Sequence, residues 1–178
     1  MLLTQTIQGV CMSTVKFKGG SVTLSGKIPQ KMNQAPEFLL TKNDLSDVSS
    51  KDFSGTKIVM NIFPSVDTGV CAASVRRFNQ EAARLAGTKV LCISRDLPFA
   101  QARFCGAEGI DNVIMLSELR NRDFGKDYGL AMNDGPLAGL LARAVIVVDE
   151  NRKVVYSQLV PEITEEPDYD AVIKFLNS

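Results

Sequence analysis

Residues 57–94 run KIVMNIFPSVDTGVCAASVRRFNQEAARLAGTKVLCIS. KIVMNIF, over Lys57–Phe63, is a largely apolar run closed by Pro64 and reads as a buried strand. A polar turn, Ser65–Thr68, follows. Val75, Phe78, Ala82 and Leu85 then recur at helical spacing, with Arg76, Arg77, Gln80, Glu81 and Arg84 on the other faces. Gly87 stands where a helix C-cap glycine belongs. VLCIS, Val90–Ser94, is a second buried strand. A strand, a crossover helix and a second strand make a βαβ unit with parallel strands.

The pattern continues outward from this unit. Asp96 and Pro98 form a predicted N-cap region and early-helix proline for a short helix running towards Gly106. Val113–Leu116 is a third strand and Asn121–Tyr128 a short helix. Asp134–Gly139 is a loop, and Ala144–Val148 and Val154–Leu159 form a hairpin around DENRK. Tyr169, Val172, Ile173, Phe175 and Leu176 predict a C-terminal helix. Upstream, Thr14–Phe17 and Ser21–Leu24 flank Lys18-Gly19-Gly20 as a β-hairpin. Residues 25–37 are a connecting loop, Phe38–Thr41 a short strand and Asp44–Gly55 a polar loop. The order gives an α/β protein of thioredoxin-like topology: a central mixed sheet flanked by helices, with an extra N-terminal hairpin. Residues 14–178 form the single expected domain, hairpin 14–24 included, and residues 1–13 an extension.

The 178 residues suit one domain with a full core. Twenty basic and twenty acidic residues cancel, which gives no electrostatic reason to expect a nucleic acid or an anionic membrane as a partner. The chain has no histidine, so imidazole bases, histidine metal ligands and a proximal haem histidine are excluded. The N-terminus has no Lys or Arg before Lys16 and no sustained apolar stretch, and no segment approaches membrane-span length. The expected setting is a reducing cytoplasm, with the periplasm as the alternative.

The cysteines are Cys11, Cys71, Cys92 and Cys105. None has metal-clip spacing, and in a reducing compartment paired cysteines point to catalysis or redox sensing. Cys92, inside VLCIS, reads as core. Cys71 falls at the predicted start of the helix after KIVMNIF. There unpaired backbone N–H groups and the positive end of the macrodipole favour thiolate over thiol. Thr68 stands three residues before it, where a C-x-x-C oxidoreductase carries a second cysteine. That substitution removes local disulfide formation but keeps a hydroxyl near the sulfur.

PSVDTGVCAASVRRFN, followed by SRDLPFAQARFCGAEG, resembles the thiol peroxidase subfamily of the atypical two-cysteine peroxiredoxins. The likeness continues through NVIMLSELRN, DGPLAGLLARAVIVVDEN and SQLVPEITEEPDYDAV, over essentially residues 14–178. Residues 1–11 depart from the pattern, as an extension or with translation starting at Met12, and Cys11 has no catalytic role. The resemblance implies that Cys71 is the peroxidatic cysteine, attacking the terminal peroxide oxygen and becoming a sulfenic acid. Pro64 and Thr68 would shape the pocket, the Thr68 hydroxyl touching thiolate and peroxide, and Arg143 would supply a guanidinium. Cys105 would be the resolving cysteine, closing a disulfide with Cys71 that thioredoxin reduces. No cofactor is implied, and a homodimer is. Hydrogen peroxide and organic hydroperoxides are the expected substrates.

Physical chemistry requires these parts together. An unperturbed thiol is already a few per cent ionised near neutrality, so full ionisation gains roughly thirty-fold. Enzymes accelerate by about 10⁶-fold or more, so donors aimed at the breaking O–O bond must supply the rest. The sulfur must also be within reach of a hydroperoxide. A disulfide needs Cα atoms within roughly 7 Å, which predicts local unwinding at one or both helices before Cys105 meets Cys71. A protein thiol–disulfide oxidoreductase and a non-enzymatic redox sensor are the rival readings. Glu162, Glu165, Glu166 and Asp168 read as a solvated acidic patch.

Overall fold

The computed structural model describes residues 12–178; Cys11 and most of the expected extension lie outside the described residues. The centre is the unit read from residues 57–94: strand β5 (Lys57–Ile62), helix α1 (Gly69–Ala82) and strand β6 (Thr88–Ser94), with β5 and β6 parallel in the register Val59↔Val90. Helix α2 (Pro98–Glu108) leads to β7 (Ile114–Ser117), parallel to β6. On the other flank β8 (Ala144–Val148) runs antiparallel to β5, and β9 (Val154–Leu159) antiparallel to β8. Helices α3 (Asp123–Asp127) and α4 (Tyr169–Leu176) complete the helical set.

Alternation along β5 explains why its sequence is largely apolar on both faces, the buried Asn61 being held by the Ser74 hydroxyl at 3.2 Å. Ile58, Met60 and Ile62 enter one core cluster, with Leu91, Ile93 and Ile146. Val59 and Phe63 enter the cluster on the opposite face, with Val75 and Phe78 of α1, Val145 and Val172 of α4. A strand covered on both sides has no solvent face to mark with polar residues.

Two strands upstream extend the sheet. β3 (Leu39–Lys42) pairs antiparallel with β7, and β4 (Asp47–Ser49) pairs antiparallel with β3 as the edge. The seven-stranded order is β4-β3-β7-β6-β5-β8-β9. The expected N-terminal hairpin is present as a separate two-stranded sheet, β1 (Thr14–Phe17) and β2 (Gly20–Thr23).

Several local expectations are corrected. The polar loop Asp44–Gly55 contains β4 and a 3₁₀ turn over Ser50–Phe53, started by a capping box between Ser49 and Asp52. Helix α1 stops at Ala82, short of Leu85. Gly87, at φ +69°, shapes the turn into β6 instead of capping the helix. Leu97, not Asp96, is the residue before α2, with Pro98 in its first turn. The helix runs past Gly106 to Glu108 and ends on left-handed Gly109. Helix α3 is shorter than Asn121–Tyr128.

Candidate active site

The site is assembled where the loop after β5 meets the start of α1. Phe63 adds a last ladder bond, its N–H donating to the Ile93 carbonyl at 3.2 Å, and Pro64, which has no N–H, stops the strand. Thr68 is the extended residue before the helix (φ −106°, ψ 144°), and its carbonyl accepts the Ala72 N–H at 2.9 Å. Its hydroxyl donates to the Ser65 carbonyl at 3.1 Å and makes no cap bond. In this conformation the hydroxyl is therefore committed to the turn and not to the Cys71 sulfur. Among the described residues no side chain caps the first N–H groups of α1, which keeps the helix start electropositive.

Asp96, expected as a helix cap, braces this turn. Its carboxylate accepts the Ser65 hydroxyl at 2.7 Å, the Val66 N–H at 2.8 Å and the Ser94 hydroxyl at 2.6 Å. The start of the Cys71 helix is thus tied to the loop that starts the Cys105 helix.

Cys71 is the third residue of α1 and is completely buried. Arg143, immediately before β8, is 2% exposed. Its Nη2 donates to Cys71 Sγ at 3.3 Å, while Nε and Nη2 both donate to the Ile163 carbonyl at 3.0 Å. Its Nη1 is buried with no hydrogen-bond partner among the described residues. The guanidinium forms no ion pair with a carboxylate there either. A buried cation is costly unless negative charge faces it, and here the facing atom is the Cys71 sulfur.

A cavity of about 170 Å³ opens beside this pair. Its walls are largely apolar, from Phe17, Pro64, Val70, Leu137 and Ile163, with Arg143 also contributing. Thr68 sits at its edge and is exposed. The sequence reading called for a sulfur in reach of peroxide. The structure instead puts Cys71 one layer behind the cavity wall, beside Gly69 and Val70 and in contact with the arginine that faces the cavity. Access to the sulfur requires that wall to shift.

Cys105 lies in the last turns of α2, half-buried. Burial pushes its thiol above the ordinary value, opposed by the nearby Asn43 amide. Its carbonyl accepts the Ile110 N–H at 3.0 Å, so it also holds the end of the helix. Cys71, Cys92 and Cys105 are all free thiols. Cys71 and Cys105 each sit in an intact helix; the ion pair Arg76–Glu108 straps α1 to α2, and Arg103–Asp67 ties α2 to the turn before α1, both at 3.1 Å. Cys92 is in the core as expected. Its thiol is pushed up to about 12 by burial, partly offset by the Asn61 amide at 3.7 Å.

Pro64, Thr68 and Arg143 are therefore all on the cavity, with Cys71 directly behind it, while Cys105 stands apart. Sequence reasoning missed two contributors. The Ile163 carbonyl that orients Arg143 carries no side-chain signature. Asp96 was read as a cap because a helix followed it.

A buried cysteine at a helix start, facing a buried arginine on a thioredoxin-like sheet, defines a protein of the cysteine-redox class. The family model described as Redoxin matches residues 30–173, and the chain belongs to that family. It is similar to a protein named "Thiol peroxidase" from Corynebacterium glutamicum, 58% identical over 166 residues, or 93% of this chain and 100% of that one. Among solved structures, a peroxiredoxin-like protein from Aquifex aeolicus is 42% identical with a TM-score of 0.88, covering 93% of this chain and 97% of its own. A thiol peroxidase from Chromobacterium violaceum is 29% identical with a TM-score of 0.84, covering 92% of this chain and 95% of its own.

Proposed function

We propose that the chain is a thiol-dependent peroxidase whose peroxidatic residue is Cys71. The observation that carries this is the Arg143 guanidinium, which lines the cavity, with one amino nitrogen on the Cys71 sulfur and the other buried without a partner among the described residues. An N–H in that position can donate to a peroxide oxygen, and its energetic value is greatest when charge builds on that oxygen in a dry site. Arginine keeps its charge throughout.

The cycle balances with residues of this chain and one external dithiol. The Cys71 thiolate attacks the terminal oxygen of a hydroperoxide. The O–O bond breaks, the leaving alkoxide or hydroxide takes a proton, and Cys71 is left as the sulfenic acid. The Cys105 thiol then displaces water from that sulfenic acid, forming the Cys71–Cys105 disulfide. A thioredoxin-type dithiol reduces the disulfide and restores both thiols. Pro64 and Thr68 shape the cavity, and the Thr68 hydroxyl turns to the peroxide when that wall shifts. For the sulfurs to meet, the first turn of α1 or the last turns of α2 unwind, releasing the ion pairs that hold α2 to α1 and to the turn before it. Thioredoxin as reductant, a homodimer and a reducing cytoplasm fit this cycle and belong to the same proposal.

A peroxide-consumption assay with thioredoxin and its reductase tests it. The wild type turns over; Cys71→Ser falls to background; Cys105→Ser is oxidised once at Cys71 and then fails to cycle. Sustained turnover by Cys71→Ser would defeat the proposal.

A further inference from the structure

The hairpin β1–β2 stands outside the seven-stranded sheet, yet a side chain from near the C-terminus grips its tip. Glu162 accepts the Lys18 N–H at 3.0 Å on Oε1 and the Gly19 N–H at 3.2 Å on Oε2. Its Oε1 also accepts the Thr164 N–H at 3.3 Å and the Thr164 hydroxyl at 2.9 Å. Lys18 and Gly19 have φ of 50° and 82°. Two successive left-handed residues at a hairpin turn direct neighbouring N–H groups to one side, a concavity suited to an anion. Burial pushes the Glu162 carboxyl up, but the bonds from Gly19, Thr164 and Lys18 outweigh it and hold it below its ordinary 4.5.

On either side of Glu162 the backbone is paired with β1. The Lys16 N–H donates to the Pro161 carbonyl at 2.7 Å, and the Ile163 N–H to the Lys16 carbonyl at 2.9 Å. The carbonyl of that same Ile163 receives both Arg143 bonds. With no carboxylate partner, the plane of the guanidinium follows this one oxygen. Phe17, the last residue of β1, and Ile163 are both walls of the cavity.

We infer that Glu162 is a positioning residue: it clips the hairpin tip to residues 161–164, so that the Ile163 carbonyl holds Arg143 against Cys71 and Phe17 stays in the cavity wall. The acidic patch of the sequence is at the surface, and within it the Glu162 carboxylate is committed to three backbone N–H groups and a hydroxyl, which gives the extra hairpin a role in the chemistry. The inference rests on Cys71 being the peroxidatic residue.

Rapid-quench mass spectrometry on the full chain with hydrogen peroxide separates the second-order oxidation of Cys71 from the first-order formation of the Cys71–Cys105 disulfide. In Glu162→Ala the oxidation step falls by about ten- to a hundredfold, as expected for a misplaced donor. The disulfide step stays within about twofold, and the Arg143 Nε–H exchanges faster with solvent in NMR spectra. Glu162→Gln, which keeps one accepting oxygen, loses less. Thr164→Val, which deletes a single donor, carries the same test if Glu162→Ala does not fold. A variant with faster-exchanging Lys18 and Gly19 amides but wild-type Cys71 oxidation would overturn the inference, as would a parallel fall in both steps. A wild type that hydrogen peroxide does not oxidise at Cys71 would instead overturn the peroxidase reading itself.

Discussion

The surroundings of Cys71 and of Cys105 are built on opposite principles. Cys71 is completely buried at the start of α1, with a buried guanidinium donating to its sulfur. Cys105 is only half-buried near the end of α2, its neighbour is the neutral amide of Asn43, and burial pushes its thiol up. In the proposed cycle the first place sets a cation beside the sulfur and the departing oxygen. In the same proposal the second sulfur waits as a thiol until the helix lets go. Cys92 sharpens the contrast. It is as buried as Cys71, but it faces an amide where Cys71 faces a cation, and its thiol is pushed up to about 12. The two buried sulfurs therefore differ in what faces them, and the role proposed for Cys71 rests on that cation.

The largest expected effect breaks the first half of the comparison. Arg143→Gln removes the cation and most of its donors, so the second-order rate of Cys71 oxidation falls by about 10²–10³-fold. Rapid-quench measurements of oxidised Cys71 check this, and a loss under about threefold would place the driving force elsewhere. A smaller effect tests the second half. Because the Cys105 thiol lies above its ordinary 9.0, it is protonated near neutrality, and its attack on the sulfenic acid needs the thiolate. The first-order rate of disulfide formation therefore rises with pH, by up to about tenfold per unit below that value. A flat profile from about pH 6 to 9 would remove the contrast between the two thiols. The smallest effect concerns Cys92. Cys92→Ser leaves both steps within about twofold, while burying a hydroxyl lowers stability by about 1–3 kcal/mol in thermal or denaturant unfolding.

The fold was legible where burial writes itself into continuous runs. KIVMNIF and VLCIS, with a helical stripe between them, specify β5, α1 and β6, and the order of elements around them specifies the rest of the sheet. Strand β4 was not legible: DVS has no apolar run, and it becomes a strand only by pairing with the adjacent β3. The end of α1 was overrun because Leu85 continues the helical spacing, although the chain turns at Ala83 before the left-handed Gly87. At the site, Pro64, Thr68 and Cys71 lie within one local motif and could be read together. Arg143 is far away in sequence, and only the family resemblance connected it. The burial of Cys71 and the grip of Glu162 on the hairpin depend on tertiary contacts between distant segments, which no local pattern encodes.

The most direct test of the account is to identify the sulfur that takes the oxygen. Cys105→Ser protein, treated with one equivalent of hydroperoxide in the presence of a sulfenic-acid trap, is digested and analysed by mass spectrometry, alongside the same protein carrying Arg143→Gln. The account predicts one adduct, on the peptide bearing Cys71, formed fast with Arg143 and far more slowly without it. An adduct mainly on Cys92, or equal labelling rates in the two proteins, would contradict it.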